Sequence, residues 1–278
     1  MHRLYDLKND RLIYIGKAAT QQFWDNHWDV NNLRNELISS KKTWRKKLMA
    51  FVGFSENSVV RITKHYLREG STILEGGCGK GQNIIALSNC GYVPIGIDYA
   101  QKTVEILKQV LPHLDIQLGD VRNLPVQDSS IDGYWSLGVI EHFWDGFDNI
   151  VKEMSRVTRE KGYLFLTFPH MSWLRRQKVK YGYYEFYSDK DNLPDGFYQF
   201  ALNPYQVCDR IKKYGFKLIK YHGEGGLKGL KDEIKVLHPM LQKLYDSPNS
   251  IARFFKFILE PLLKAWAGHM ALMIFKKR

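Results

Sequence analysis

Residues 73–83 read ILEGGCGKGQN, with Gly76, Gly77, Gly79 and Gly81 crowded behind an acid, Glu75. Glycine loses more backbone entropy on folding than any other residue, so a cluster of this density implies that a ligand must approach the main chain closely. Three further polar positions close apolar runs downstream. They are Asp98 in GIDYA, Asp120 in GDVRNLP, and Glu141-His142 in YWSLGVIEHF. A carboxylate at such a position accepts hydrogen bonds from hydroxyl or amino groups. Histidine titrates near neutrality and can move a proton.

The elements that must position these residues follow from hydrophobic periodicity. STILEGG is a strand running into a turn, and QNIIALSNCG a helix ending at Gly91. VPIGID, LDIQLGD, IDGYWSLGVI and YLFLTFP read as the second to fifth strands. AQKTVEILKQVL is a helix with Val104, Leu107 and Leu111 on one face, and DNIVKEMSRVT is another. NPYQVCDRIKKYG is a helix with Asn203 as N-cap, Pro204 in the first turn and Gly215 as C-cap. FKLIKYHG and HMALMIFKK are the sixth and seventh strands. Strands alternating with helices predict a doubly covered, mostly parallel α/β sheet. The expected organisation is one domain over 1–278. It has a mainly helical, Trp-rich N-terminal extension (1–70), a core (71–170), and additions at 171–202 and 224–268.

In an open α/β sheet the turn after the first strand lies where ligands bind. A phosphate loop, GxxxxGK[ST], would need Lys and Ser or Thr after Gly81, but Gln82 and Asn83 follow. A dinucleotide loop, GxGxxG, would need a third glycine where Gln82 stands. The spacing here is GxGxG.

ILEGGCGKG resembles motif I of the class I S-adenosylmethionine (SAM)-dependent methyltransferases. The resemblance continues through GIDYA, GDVRNLP and YWSLGVIEHF and covers residues 71–170, with the seventh strand fitting at the end. It implies a Rossmann-like seven-stranded sheet whose last strand runs antiparallel. It also implies SAM as cofactor, with S-adenosylhomocysteine as product. By the same resemblance, Glu75, Gly76, Gly77, Cys78 and Gly79 face the methionine part and ribose. Asp98 takes the ribose hydroxyls and Tyr99 the adenine face. Asp120 and the Val121 amide meet the adenine edge, and Leu137 packs below the cofactor. Glu75 has a second reading, an acid facing a helix N-terminus.

His142 is the candidate general base, set against a structural histidine beside the cofactor. Glu141-His142 also matches the end of an ExxEH motif in metal-assisted quinone-pathway O-methyltransferases. Gly138 stands where the first acid belongs, and no metal site is expected. NPYQ at 203–206 is similar to an amino-group methyltransferase motif but opens a late helix, so it is read as a cap. Trp24 and Trp28 are lid candidates.

The chain of 278 residues carries 41 Lys+Arg against 29 Asp+Glu, a net +12, which suits an anionic partner or simply a solvated surface. Three cysteines, Cys78, Cys90 and Cys208, form no disulfide or zinc pattern. No signal peptide is expected, and a cytoplasmic protein, with peripheral membrane contact open, fits. The segment 171–200 sets Arg175, Arg176, Lys178 and Lys180 beside Tyr181, Tyr183, Tyr184, Phe186 and Tyr187, a pairing suited to a flat or anionic acceptor or to stacked bases. In 251–266, Arg253, Lys256, Glu260 and Lys264 form one charged stripe on an otherwise apolar helix that Pro261 should bend or restart. Such a helix can pack in the core, close over an apolar acceptor, or rest in a membrane interface. KKTWRKKLMAF at 41–51 is a second basic-aromatic helix. The sequence therefore predicts methyl transfer to a small molecule, with an RNA methyltransferase or a non-catalytic SAM-binding protein as alternatives.

Overall fold

The structure, a computed structural model, describes residues 1–28, 58–188, 193–247 and 249–278. The basic-aromatic stretch 41–51 lies outside the described residues. The chain opens with strands β1 (His2–Asp6) and β2 (Arg11–Ile15), then helices α1 (Gln21–His27) and α2 (Ser58–Tyr66). Alternating elements follow: β3 (Thr72–Gly76), α3 (Gln82–Ser88), β4 (Val93–Asp98), α4 (Gln101–Val110), β5 (Asp115–Leu118), β6 (Ile131–Leu137), α5 (Asp148–Val157) and β7 (Thr158–Pro169). The remainder is α6 (Trp173–Lys180), β8 (Glu185–Phe186), β9 (Phe197–Ala201), α7 (Pro204–Lys212), β10 (Phe216–Glu224), α8 (Gly226–Glu233), α9 (His238–Asp246), α10 (Ser250–Ala267) and β11 (Met270–Lys277).

The seven expected strands form one sheet in the order β10-β11-β7-β6-β3-β4-β5. Strands β3 to β7 pair in parallel, and β11 runs antiparallel to β7 and β10. Because helices cover both faces, the central strands are apolar runs rather than alternating ones. Ile73, Leu74, Ile97, Tyr134, Trp135, Leu164, Phe165 and Leu166 are all buried. Trp135 stacks on Phe165 at 4.5 Å and donates its indole N–H to Thr63 Oγ1 at 3.0 Å, which ties α2 to the sheet. The order reverses at β3, flanked by β4 and β6, so the loop after β3 opens at the switch point.

The N-terminus departs from the helical expectation. Its first 15 residues form a hairpin, and a second sheet, β8-β1-β2-β9, closes over one end of the first. Two short runs, HRLYD and RLIYI, flank the turn residues LKND, and Asp10 takes the positive φ (44°) such a turn needs. Tyr5, Leu12 and Tyr14 pack with Met171, Tyr184 and Ala201 under this sheet. Helix α7 starts as expected, with Asn203 Oδ1 accepting from the Tyr205 amide at 2.9 Å, but its C-cap is Lys213 rather than Gly215.

Helix α10 also differs. It runs unbroken through Pro261, and Lys256, Glu260 and Lys264 of its charged stripe turn toward the protein. Glu260 accepts from the amides of Gly226 and Leu227, at 2.6 and 3.1 Å, and so caps α8. Lys256 donates to the carbonyls of Tyr245 and Ser247. Ile258 and Leu262 are left exposed. Among the described residues no helix is long and apolar enough to cross a membrane.

Candidate functional site

The loop after β3 is shaped by its glycines. The amides of Gly77 and Cys78 both donate to the Ile97 carbonyl of β4, at 2.7 and 3.1 Å. Gly77 and Gly79 hold φ of 81° and 49°, which side chains rarely adopt. A Cβ at Gly77 would lie 2.6 Å from Val139, and one at Gly79 2.7 Å from the Trp28 ring. A cavity of about 460 Å³ opens against this loop.

Glu75, Gly77, Cys78, Gly79, Asp98, Tyr99, Asp120, Val121, Leu137 and His142 all line it. Gly76 does not. Its Cα packs against the Tyr134 hydroxyl, leaving no room for a side chain, so its smallness serves the core. Asp98 is buried at the end of β4. One carboxylate oxygen accepts from Gly79 N at 2.8 Å, the other from Ala100 N at 2.9 Å, so the side chain fixes the loop while each oxygen keeps accepting capacity. Burial raises its pKa. Glu75 is 2% exposed. Its Oε1 accepts from Asn83 Nδ2 at 2.7 Å, and its Oε2 has no partner among the described residues. Burial pushes this carboxyl up to about 8 against the Asn83 hydrogen bond, and Asp98 adds to the rise.

At the far end of the cavity Asp120 is committed to Arg122 by two oxygens at 2.6–3.0 Å. Tyr99 donates its hydroxyl to the Ala19 carbonyl at 3.0 Å. Helix α1 and the residue after it contribute to the cavity wall. Trp24 and Trp28 line it, and Asp25 accepts from the amide and hydroxyl of Thr103, pinning α1 to α4.

His142 stands in the short 3₁₀ turn after β6. Its Nδ1 lies 2.7 Å from the Tyr198 carbonyl, which can only accept, so Nδ1 carries the proton and Nε2 the lone pair. Burial brings the imidazole down to about 4, against the carbonyls of Tyr198 and Gly138. Trp24 meets the ring edge-on at 5.0 Å. Trp24, Gly138 and His142 also line a second cavity, of about 390 Å³, whose other walls include Arg3, Tyr198, Lys228 and His269. Glu141, 1% exposed and pushed up to about 8 by burial, lines this second cavity with its Oε2 unpartnered among the described residues. Among the described residues no group of three or more His, Cys, Asp or Glu side chains could hold a metal ion.

Sequence reasoning missed Asn83 and every wall of the second cavity outside 138–142 except Trp24. Asn83 left a signal, a polar pair opening the otherwise apolar helix QNIIAL. Of the segment 171–200, a candidate acceptor surface, only Tyr198 and Gln199 among the described residues reach a cavity, the second, and its basic run lines neither. Its Arg175, Lys178 and Tyr184 converge on buried Glu233, and Arg176 pairs with Asp10.

Residues 74–166 match the methyltransferase domain family. A probable S-adenosylmethionine-dependent methyltransferase of Mycolicibacterium smegmatis is 29% identical over 176 residues, 62% of this chain and 63% of that relative. The chain thus spans under two thirds of that relative's length. The 27-O-demethylrifamycin SV methyltransferase of Amycolatopsis mediterranei is 30% identical over 123 residues, 40% of this chain and 45% of that one. Among solved structures, the [4+2]-cyclase SpnF superposes with a TM-score of 0.54 at 17% identity, covering 95% of this chain and 98% of that one, a likeness of fold.

Proposed function

We propose, on the premise that the chain carries a class I SAM-dependent methyltransferase domain, that it methylates a small-molecule acceptor. When bound, SAM supplies a methyl group activated by its sulfonium. The observation that carries the reading is the unpartnered Oε2 of buried Glu75, set beside a glycine loop too tight for side chains. A lone buried carboxyl is costly, and a cationic amine is the partner that satisfies it. The fit to SAM's ammonium is therefore direct.

Asp98, which lines the cavity and keeps accepting capacity on both oxygens, accepts from the ribose hydroxyls. Tyr99 and Val121 flank the adenine, and Leu137 forms the floor. Asp120, held by Arg122, orients the loop at the adenine end. Trp24 and Trp28 exclude water. His142 enters neutral and offers Nε2 to the proton an acceptor hydroxyl or amine must lose. Most of the barrier is lowered by alignment of the two reactants. Arg175, Arg176 and Lys178 of α6 are turned onto Glu233 and Asp10 rather than presented to a phosphate backbone, which favours a small molecule over RNA.

Calorimetry tests this reading. SAM and S-adenosylhomocysteine should bind, and Asp98→Ala should weaken both about tenfold or more, as expected for the loss of charge-assisted hydrogen bonds. Binding of NADH without SAM would overturn it.

A further inference from the structure

The second cavity, whose own wall holds Arg3 and Lys228 beside Asp232, borders a larger charge cluster. Five cationic side chains, Arg3, Arg175, Lys178, Lys228 and Lys231, surround two carboxylates, Asp232 and Glu233. Glu233 is saturated. Its Oε1 accepts from Arg3 at 2.7 Å and Arg175 at 2.9 Å, and its Oε2 from Lys178 at 2.9 Å and the Tyr184 hydroxyl at 2.6 Å. Asp232 takes Lys228 at 2.6 Å. His269 sits between two cations: Nδ1 is 3.2 Å from Arg175 Nη2, and Nε2 is 3.2 Å from Lys228 Nζ. A neutral imidazole has one lone pair, so one of these contacts sets a cation against an N–H, although Asp232 Oδ2 also lies 3.6 Å from Nδ1. Burial, then Arg175 and Lys228, bring this ring down to about 3, against Asp232 and Glu233. Arg3, Lys228 and His269 reach the cavity wall itself, with Asp232 the one ionised acid beside them.

We infer that this cavity receives an anionic group of the acceptor, a carboxylate or a phosphate, bound by Arg3, Lys228 and His269 with the acceptor's reactive end toward His142. The inference rests on the methyltransferase reading for the word acceptor; anion binding itself does not. An anion would relieve the unmatched contact at His269 and neutralise part of the buried surplus.

The probes are phenylacetate, phenyl phosphate and the neutral isostere phenylacetamide, followed by ligand-observed NMR on the full chain with and without S-adenosylhomocysteine. At least one anion should bind saturably, and the amide roughly ten- to a hundredfold more weakly. The tighter of the two anions identifies the group. Lys228→Gln, and Arg3→Gln with Lys228→Gln, should weaken the anion about tenfold per residue while S-adenosylhomocysteine affinity is unchanged, which also shows that the variants fold. Equal binding of amide and acetate, or anion binding indifferent to both variants, overturns the inference. Loss of S-adenosylhomocysteine binding by the wild type would instead overturn the methyltransferase reading alone.

Discussion

The two cavities share Trp24, Gly138 and His142 as a wall, yet their electrostatics are opposite. On one side buried acids dominate, and burial, with Asp98 adding to it, pushes Glu75 up to about 8. On the other, Arg3 and Lys228 face one ionised acid, and burial, with Arg175 and Lys228, brings His269 down to about 3. The first cavity is lined by Glu75, Asp98 and Asp120 against Lys80 and Arg122, the second by Arg3 and Lys228 against Asp232. A cationic cofactor would complete the first, an anionic acceptor the second, and the reacting atoms would meet at the neutral histidine between them. Burial is what gives these differences force, since the same charges at the surface would be screened.

The comparison can be broken at the shared wall. His142→Ala should reduce turnover about 10²- to 10⁴-fold, the range for a removed general base, while S-adenosylhomocysteine binding persists. Unchanged turnover in a methyl-transfer assay would assign the ring to structure. The cationic side depends on Glu233. Burial alone would raise its pKa, but Arg175, Arg3, Tyr184 and Lys178 outweigh that and hold it at about 2. Its folded value is depressed, so its contribution is complete above the unfolded value of 4.5 and is lost as pH falls from there through 2. Urea titrations should show stability falling across that window, and Glu233→Ala at pH 7 should cost about 3–5 kcal/mol by stranding buried cations. An alanine variant as stable as wild type would deny the cluster its structural weight.

The acidic side is sharpened by a smaller effect. Glu75 is mostly protonated at pH 7 when unliganded and must ionise to meet an ammonium. Cofactor affinity should therefore rise with pH up to about 8 and then level off. Calorimetry at pH 7 in two buffers of different ionisation enthalpy should find about one proton released on binding, and none in Glu75→Gln. Equal heats in both buffers for the wild type would place the cation elsewhere.

The same comparison explains what was legible in the sequence. The first cavity is made where strands end, and each strand brings its own contiguous signal: Glu75 to Gly79 after β3, Asp98 after β4, Asp120 after β5, Leu137 to His142 after β6. Period and turn chemistry place such residues together without knowledge of packing. The second cavity joins Arg3, Tyr198, Lys228 and His269, which lie on β1, on β9, on α8 and just before β11. No local pattern links them. They meet only because the N-terminal hairpin pairs with β9, and that hairpin went unread although its turn residues and two apolar runs were present. The same limit governs α10. Its stripe of charges was visible, but the inward direction of Glu260 depends on the amides of Gly226 and Leu227, far away in sequence. The turn ILEGGCGKGQN divides likewise: Gly77 and Gly79 serve the cavity, whereas Gly76 serves the packing of Tyr134.

The most direct measurement is a crystal structure with S-adenosylhomocysteine bound. The account predicts the amino end at Glu75 Oε2, the ribose at Asp98, and the sulfur turned toward His142 and the cationic cavity beyond it. S-adenosylhomocysteine bound elsewhere, or with its sulfur facing away from His142, would contradict it.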